Sequence, residues 1–212
     1  MTTPRSHLLG LLVLASIGVA RLAHASPADA VPATSPPPPP PALRLSVEID
    51  PADYTIYDGW GGFVGIRPAA TSPWRFRLGG GAATLPDAAV QNSDANDGWH
   101  QRIDGVVTLA AHRYFGHGRG GFFAGAVTGW STITFTAPSG GTVDVDNVFA
   151  GIDLGYRWFP LRNAGLVITP HLGAIVPLYK SHEPTVDGMT YDLLPVIPMP
   201  QLLVGYEFDV LK

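Results

Sequence analysis

Three features of the sequence predict one fold class, an all-β, eight-stranded antiparallel up-and-down transmembrane β-barrel. After residue 42, apolar and polar residues alternate with a period of two, and no stretch keeps the helical period. The connections between the alternating stretches are short and long in turn. Charged residues make up only 14% of the 212 residues and hydrophobic residues 46%, whereas an average soluble domain has about 25% charged residues.

The first part of the chain, residues 1–25, is predicted to be a secretory signal peptide. Arg5 precedes an apolar run from Leu8 to Ala20, and the small residues Ala23 and Ala25 stand just before the predicted cleavage point. The run is shorter than the roughly 20 apolar residues that a membrane-spanning helix requires. We therefore expect an exported protein, and the absence of Cys suits an oxidising compartment.

Residues 26–42 are predicted to form a Pro-rich disordered spacer. The segment contains a run of prolines, and proline fixes φ and lacks the backbone donor that a sheet needs. The β-barrel domain is therefore predicted to span residues 43–212.

Eight stretches of alternating residues, bounded by turn-forming residues, are the predicted strands. In the sixth, Val148, Ile152 and Trp158 lie on one face, while Asp153 and Arg157 lie on the other. The predicted strands are Leu43–Asp50, Gly59–Pro68, Trp74–Leu85, His100–Phe115, Gly121–Thr136, Val143–Phe159, Gly165–Lys180 and Val196–Val210.

Proline constrains the last two predicted strands. Pro198 and Pro200 remove backbone donors on one side only, because residues two apart face the same neighbouring strand. The strand tolerates them if this stretch projects beyond that neighbour into the long connections. In the seventh strand, Pro170 suggests a local bulge.

The two ends of the predicted barrel differ in charge. Acidic residues such as Asp94 and Glu183 lie in the long connections, whereas Arg113 and Arg119 lie near the short turns. Aromatic residues collect at both strand ends with aliphatic residues between them, as a bilayer selects. Outer-membrane barrels have short periplasmic turns and longer external loops, so we expect the cell outer membrane as the location. The expected partners are membrane lipids, with lipopolysaccharide bound through divalent cations at the acidic rim.

A soluble β-sandwich or a lipocalin-like barrel would also give alternating strands. Such a fold turns its polar face to water and needs more surface charge than a chain with 14% charged residues supplies. The composition therefore favours the membrane barrel.

Three segments of the chain are similar in residue pattern to segments of a known protein group. They are GYRWFP at 155–160, VITPHLGAIVPL at 167–178 and LLVGYEF at 202–208. From Val47 to Lys212 the chain resembles the small bacterial outer-membrane β-barrel proteins, many of them uncharacterised. The resemblance implies an eight-stranded barrel in a Gram-negative outer membrane. It implies no particular activity, because these segments are not the motif of a site.

The polar faces of the predicted strands bring charged residues into the lumen. An eight-stranded barrel is just wide enough for its own side chains to fill it, and buried ions there must pair. The two interpretations that remain open are a plug of salt bridges and a minimal pore or small-ligand pocket. The residues predicted to form this polar network are Arg75, Arg77, Arg102, Asp104, His112, Asp153, Arg157, His171 and Glu207.

The predicted function is a structural or interaction role in the outer membrane, without catalysis. The alternatives are a narrow, porin-like pore or binder of a small hydrophobic or anionic molecule, and a lipid-modifying hydrolase. A hydrolase would use Ser131 with His112 or His171, but no G-x-S-x-G motif occurs. No cofactor and no metal site are predicted, and the net charge of −4 argues against nucleic acid as a partner, so none is expected. The oligomeric state stays open.

Overall fold

The computed structural model describes residues 43–91, 93–116, 119–161 and 164–211. The predicted signal peptide and spacer lie outside these residues.

The described chain consists mainly of eight long strands and one short hairpin. Each long strand is antiparallel to the next, and the last pairs with the first, so the sheet closes into a barrel. The strands are β1 (Leu43–Ile49), β2 (Trp60–Arg67), β3 (Trp74–Thr84), β4 (His100–Phe115), β5 (Gly121–Thr136), β6 (Thr142–Arg157), β7 (Leu166–Lys180), β8 (Thr185–Val186), β9 (Met189–Thr190) and β10 (Ile197–Leu211), where β8 and β9 form the hairpin. The predicted fold class is confirmed, and every long strand begins and ends within two residues of its predicted bounds.

Three short helices lie in the long connections, where the sequence predicted none. They are α1 (Pro51–Thr55), α2 (Asp87–Val90) and a 3₁₀-helix at Asp94–Asn96. Within the described ranges, no helix is long and apolar enough to span a membrane.

Burial alternates along the strands with the period that the sequence predicted. In β3, the side chains of Arg75 and Arg77 are buried, while those of Trp74, Phe76 and Leu78 are exposed. Successive residues of a strand point to opposite faces of a sheet. The barrel therefore turns charged side chains inward and large apolar side chains outward.

The outer wall has aromatic residues at two levels. The level near the short turns, the inner girdle, contains Trp74, Phe115, Phe122, Tyr156, Trp158, Tyr206 and Phe208. The level near the long connections, the outer girdle, contains Tyr54, Trp60, Trp130 and Tyr179. The exposed side chains between the girdles are aliphatic, among them Leu78, Val107, Leu109, Ile152, Leu154 and Leu172.

An apolar cluster, the cap, closes the end of the interior at the long connections. Phe135 of β5 and Val145 of β6 point inward and are almost fully buried, mainly by residues of two connections, the one between β3 and β4 and the one between β7 and β10. Those two connections are also joined by hydrogen bonds. The hydroxyl of Tyr191 donates to the carbonyl of Val90 over 2.7 Å. The remaining buried members of the cap are Trp99, Ala137 and Val186.

Pro198 and Pro200 lie in the part of β10 that projects beyond its neighbour β1, as the sequence predicted. β1 ends opposite Val204, so residues 197–203 of β10 project beyond it and pair only with β7. The backbone N–H of Leu202 bonds to the carboxylate of Asp50, which places the nitrogens of Pro198 and Pro200 on this same unpaired side. The two missing donors therefore cost the barrel no ladder bond.

The bulge expected at Pro170 is absent from the described chain. β6 and β7 keep one register from Gly155 opposite His171 to Trp158 opposite Ile168, and pairing is only interrupted between them. The register shifts instead at the other proline of β7, where Pro177 pairs with Phe149 and the next residue is extra. Pro170 thus breaks the ladder locally without displacing the strand.

Helix α1 follows β1, the shortest of the eight long strands, and packs against β10 and β2. Asp50 caps the helix and accepts the N–H of Ala52 over 3.0 Å. The carboxylate of Asp53 lies directly over Gly61, at a position where only glycine leaves room for it. Burial, together with the charge of Asp50, raises the pKa of Asp53 to about 6.

Helix α1 should loosen as the pH rises through about 6. A raised pKa means that the neutral carboxyl favours the folded helix, so this stabilisation is complete below about pH 4 and is lost as the pH passes 6. Hydrogen exchange at the amides of Ile56 and Tyr57, which bond to Ala52, should show lower protection at pH 8 than at pH 5 after correction for intrinsic exchange. Asp53→Asn should remove the difference, and equal protection at both pH values in the unaltered protein would contradict the assignment.

Candidate functional site

Seven of the nine predicted lumen residues converge in the barrel interior toward the short turns. They come from five strands, and each has at most 7% of its surface exposed. They are Arg75 and Arg77 of β3, His112 of β4, Asp153 and Arg157 of β6, His171 of β7 and Glu207 of β10. Together with Glu48 of β1 they form the polar network of the interior.

Two carboxylates and two guanidinium groups form the layer nearest the short turns. Arg157 donates from Nη1 to Oε1 of Glu48 over 2.7 Å and from Nη2 to Oε2 of Glu207 over 3.3 Å. Arg75 pairs with Glu207 as well, and its Nη1 lies 3.6 Å from Oε1 of Glu48. The hydroxyl of Ser46 donates to Glu48 over 2.6 Å. Each carboxylate is therefore shared between two arginines.

Glu48 was not among the residues that the sequence predicted for the polar network. The signal that could have found it is the alternation in β1, where Ser46 and Glu48 share the face opposite to Val47 and Ile49. In this half of β1 the apolar Val47 and Ile49 are exposed, and the polar Ser46 and Glu48 are buried. Assigning the polar face of the first strand to the lumen, as for the other strands, would have placed Glu48 in the network.

A third arginine covers the network at the short-turn end. Nε of Arg119, in the turn between β4 and β5, lies 3.3 Å from Oε1 of Glu207. Its guanidinium also lies 5.1 Å from the ring centre of Phe159, and that of Arg157 lies 5.5 Å from the same ring. Because Arg119 is only partly buried, it forms the boundary between the network and the solvent at this end.

The second layer is centred on Asp153. Its Oδ2 lies 2.7 Å from Nε2 of His112, 3.7 Å from Nδ1 of His171 and 3.5 Å from Nη2 of Arg77. Gly125 faces this group, and a Cβ there would collide with the ring of His112. The glycine therefore provides the space in which the His112–Asp153 pair lies.

A cavity of about 40 Å³ borders this second layer. Arg77, Asp153, His171 and Gln201 line it together with apolar residues such as Phe63. Nε of Arg77, Oδ1 of Asp153 and both ring nitrogens of His171 are buried and have no hydrogen-bond partner among the described residues. One or two water molecules fit a polar cavity of this size and would satisfy those atoms.

An apolar layer separates the polar network from the cap. Ala110, Val127, Phe149 and Ile175 point inward from four neighbouring strands and are buried against one another. Along the interior, the salt bridges are followed by this apolar layer, then by the buried side chains of Ser131 and Asn147, and then by the cap.

Arg102 and Asp104 do not enter the lumen, in contrast to the sequence prediction. The register of β4 against β5 shifts between Ile103 and Gly105, so Asp104 is the extra residue of a β-bulge. An extra residue reverses the alternation beyond it, and the inward residue at this level is therefore Gln101. Arg102 and Asp104 lie on the outer surface, where Nε of Arg102 donates to Oδ1 of Asp104 over 2.7 Å.

The structure keeps the candidate catalytic residues apart. Ser131 pairs with Val106 and Asn147, whereas His112 pairs with Gly125, six residues away along β5. That separation is about 20 Å at the rise of a strand. The His112–Asp153 pair therefore has no contact with Ser131, and a triad built on these residues is not formed.

Removal of the Asp153 carboxylate should destabilise the barrel strongly. In Asp153→Ala, the buried guanidinium of Arg77 loses its partner at 3.5 Å, and leaving a buried ion unpaired costs about 3–5 kcal/mol. Urea-induced unfolding in lipid vesicles measures the change in the free energy of unfolding.

The matched control for this variant is Glu183→Gln. Glu183 pairs with Lys180 over 2.7 Å at the surface, where 64% of the Glu183 side chain is exposed, and such pairs are worth about 0–1 kcal/mol. Similar losses of stability in both variants would contradict the paired network.

No family model and no curated protein matches the chain. The solved structures similar to it include the following two. One is a major outer membrane protein from Thermus thermophilus, with 17% identity, a TM-score of 0.45, and coverage of 78% of this chain and 98% of that chain. The other is the N-terminal β-barrel domain of Pseudomonas aeruginosa OprF, with 16% identity, a TM-score of 0.43, and coverage of 78% and 96%. Both TM-scores lie below 0.5, so the fold of this chain rests on its own strand pairing.

Proposed function

We propose that this protein is an outer-membrane β-barrel with a structural or interaction role and a closed lumen. The observation that carries the proposal is the inverted distribution of polarity. Large apolar side chains such as Phe122, Leu154 and Leu172 are 59–66% exposed, while Arg75 and Arg157 are 1% exposed. A water-soluble protein seldom exposes so large an apolar surface, and a lipid bilayer favours this arrangement.

The height of the apolar band supports a bilayer as the surrounding solvent. Phe122 lies in the inner girdle and Trp130 in the outer girdle, both on β5. Eight residues of strand rise about 26 Å, which becomes about 20 Å across the membrane at the usual strand tilt of about 40°. Outer-membrane barrels have a band about 25 Å tall between aromatic girdles, so the two heights agree to within about 5 Å.

The filled interior favours a structural role over a pore. A pore needs a continuous aqueous path, whereas here a charged layer, an apolar layer and the cap follow one another along the barrel. The described cavity of about 40 Å³ is large enough for water molecules only. The separation of Ser131 from His112 likewise favours a function without catalysis.

We also propose that the outer rim interacts with the headgroup layer through divalent cations. Asp144 and Asp146 face outward on β6 above the outer girdle, and each accepts a threonine hydroxyl of β5 over 2.7 Å. The described residues contain no group of three or more His, Cys, Asp and Glu side chains able to hold a metal ion. The cations would therefore form a diffuse layer between rim carboxylates and the phosphates of lipopolysaccharide. Unchanged mobility of the rim on addition of millimolar Ca²⁺ or Mg²⁺ would argue against this partner.

Cell fractionation tests the membrane location. The protein should be recovered with the outer membrane, and in gels it should migrate differently before and after boiling, because a closed barrel resists detergent when cold. Recovery in the soluble periplasmic fraction would overturn the proposal.

Conductance in planar bilayers tests the closed lumen. After insertion, the protein should give no steady current, because the two apolar layers exclude ions from the interior. The heat-dependent gel shift verifies insertion in the same membranes, so that the absence of current cannot be due to failed insertion. A reproducible ohmic current would favour the pore instead.

A further inference from the structure

Arg113 of β4 is the one charged residue that the described strands place on the outer wall between the outer girdle and the short turns. It is exposed between the buried, inward-facing His112 and Tyr114. The outward charges of Arg102 and Asp104 lie at the outer girdle or beyond it. An ionisable residue on a lipid-facing surface is costly, and such residues are generally functional. Arg113 therefore calls for a partner.

The guanidinium of Arg113 has no acid beside it. Within the described part of the chain it forms no salt bridge and no side-chain hydrogen bond, in contrast to Arg75, Arg77 and Arg157 of the interior. Its Cζ lies 5.9 Å from the ring centre of Phe115, which is two residues closer to the short turn. The side chain therefore extends away from the membrane centre, toward the headgroups of the leaflet at the short turns.

The surroundings of Arg113 are fixed by strand pairing. Arg113 pairs in register with Trp74 of β3, and the N–H of Tyr114 donates to the carbonyl of Pro73 over 2.7 Å. Trp74 and Phe115, which are 44% and 55% exposed, belong to the inner girdle. Interfacial aromatic residues mark the boundary between acyl chains and headgroups. An arginine among them lies at the level of lipid phosphates.

The outer wall is low on the side of Arg113 that faces the membrane centre. The next outward residue of β4, Ala111, pairs with Ala126 of β5. The large side chains of Phe76 and Ile152 pair with these alanines from the two sides and border the low path. The alanines alone indicate no ligand, but the unpaired guanidinium at the end of the path does. An acyl chain can follow the path when its phosphate lies at Arg113.

We propose that Arg113 binds the phosphate of an anionic phospholipid in the leaflet at the short turns. The proposal rests on the membrane placement proposed above, in which lipopolysaccharide lies at the long connections and phospholipid occupies the other leaflet. The guanidinium donates two parallel N–H bonds to the phosphate oxygens. Because no described carboxylate lies on this part of the outer wall to accept an ammonium group, phosphatidylglycerol fits better than phosphatidylethanolamine.

Native mass spectrometry of the detergent-solubilised full chain tests the proposal, with EDTA present so that no divalent cation bridges protein and lipid. The protein is titrated separately with phosphatidylglycerol, phosphatidylethanolamine and phosphatidylcholine of the same acyl chains. One phosphatidylglycerol should bind about tenfold more tightly than either zwitterionic lipid, as one charge-assisted hydrogen bond provides. Arg113→Gln should abolish that preference.

Two further variants locate the site. Arg102→Gln is the matched control, because it also removes an outward guanidinium, but one that pairs with Asp104 at the outer girdle. It should leave the preference unchanged. Ala126→Phe fills the low path and should weaken binding of all three lipids about fourfold, which corresponds to about one methylene group removed from contact. The preference for phosphatidylglycerol should persist in this variant.

The outcomes separate the phosphate site from the membrane placement. Insertion into vesicles, scored by the heat-dependent gel shift, should be the same in all variants. Equal binding of the three lipids, or a preference that survives Arg113→Gln, would overturn the site while leaving the proposed function intact. The second result is expected of an arginine that only extends past the girdle into water. Unchanged binding in Ala126→Phe would overturn the acyl path, and failure of the unaltered protein to insert would overturn the membrane placement itself.

Discussion

Three carboxylates inside the barrel, Glu48, Asp153 and Glu207, determine how the rest of the interior is arranged. Each is at most 3% exposed and lies beside an arginine. A buried ion without a partner costs several kcal/mol, far more than a surface pair contributes. The interior therefore tolerates the guanidinium groups of Arg75, Arg77 and Arg157 only because these acids meet them there. The glycine beside His112 and the arginine that covers Glu207 both serve this pairing.

The outer wall of the barrel has the opposite polarity to the interior. Because the polar groups of the strands are satisfied inward, the outer wall consists of aliphatic side chains between two aromatic levels. Above the outer girdle the wall changes character within a few residues, from Trp130 to the threonines and aspartates that bond to one another across β5 and β6. The change from an apolar to a polar outer wall thus takes place within single strands.

Periodicity was sufficient to predict the long strands and most of the polar network. The alternation is strict along β3 and β6, so the inward positions of Arg77, Asp153 and Arg157 follow from parity alone. It was insufficient at Arg102 and Asp104, since a bulge adds one residue and no local signal in the sequence marks it. The helices of the long connections were missed for another reason. Three to five residues are too few to display a helical period, and α2 with the 3₁₀-helix instead lies in the connections that build the cap.

The position of two of the acids has a consequence for how the barrel forms. Glu48 lies on the first strand of the barrel and Glu207 on the last, and these strands pair with each other at residues as far apart in the chain as Leu43 and Leu211. Arg75 and Arg157 come from the middle of the chain and receive both acids only when this final seam closes. Joining the ends of a long chain is entropically costly, and here the step that incurs that cost also neutralises the interior. Closure of the seam and burial of the charges are therefore one cooperative event, and a barrel left open at this seam would hold unpaired arginines facing its lumen.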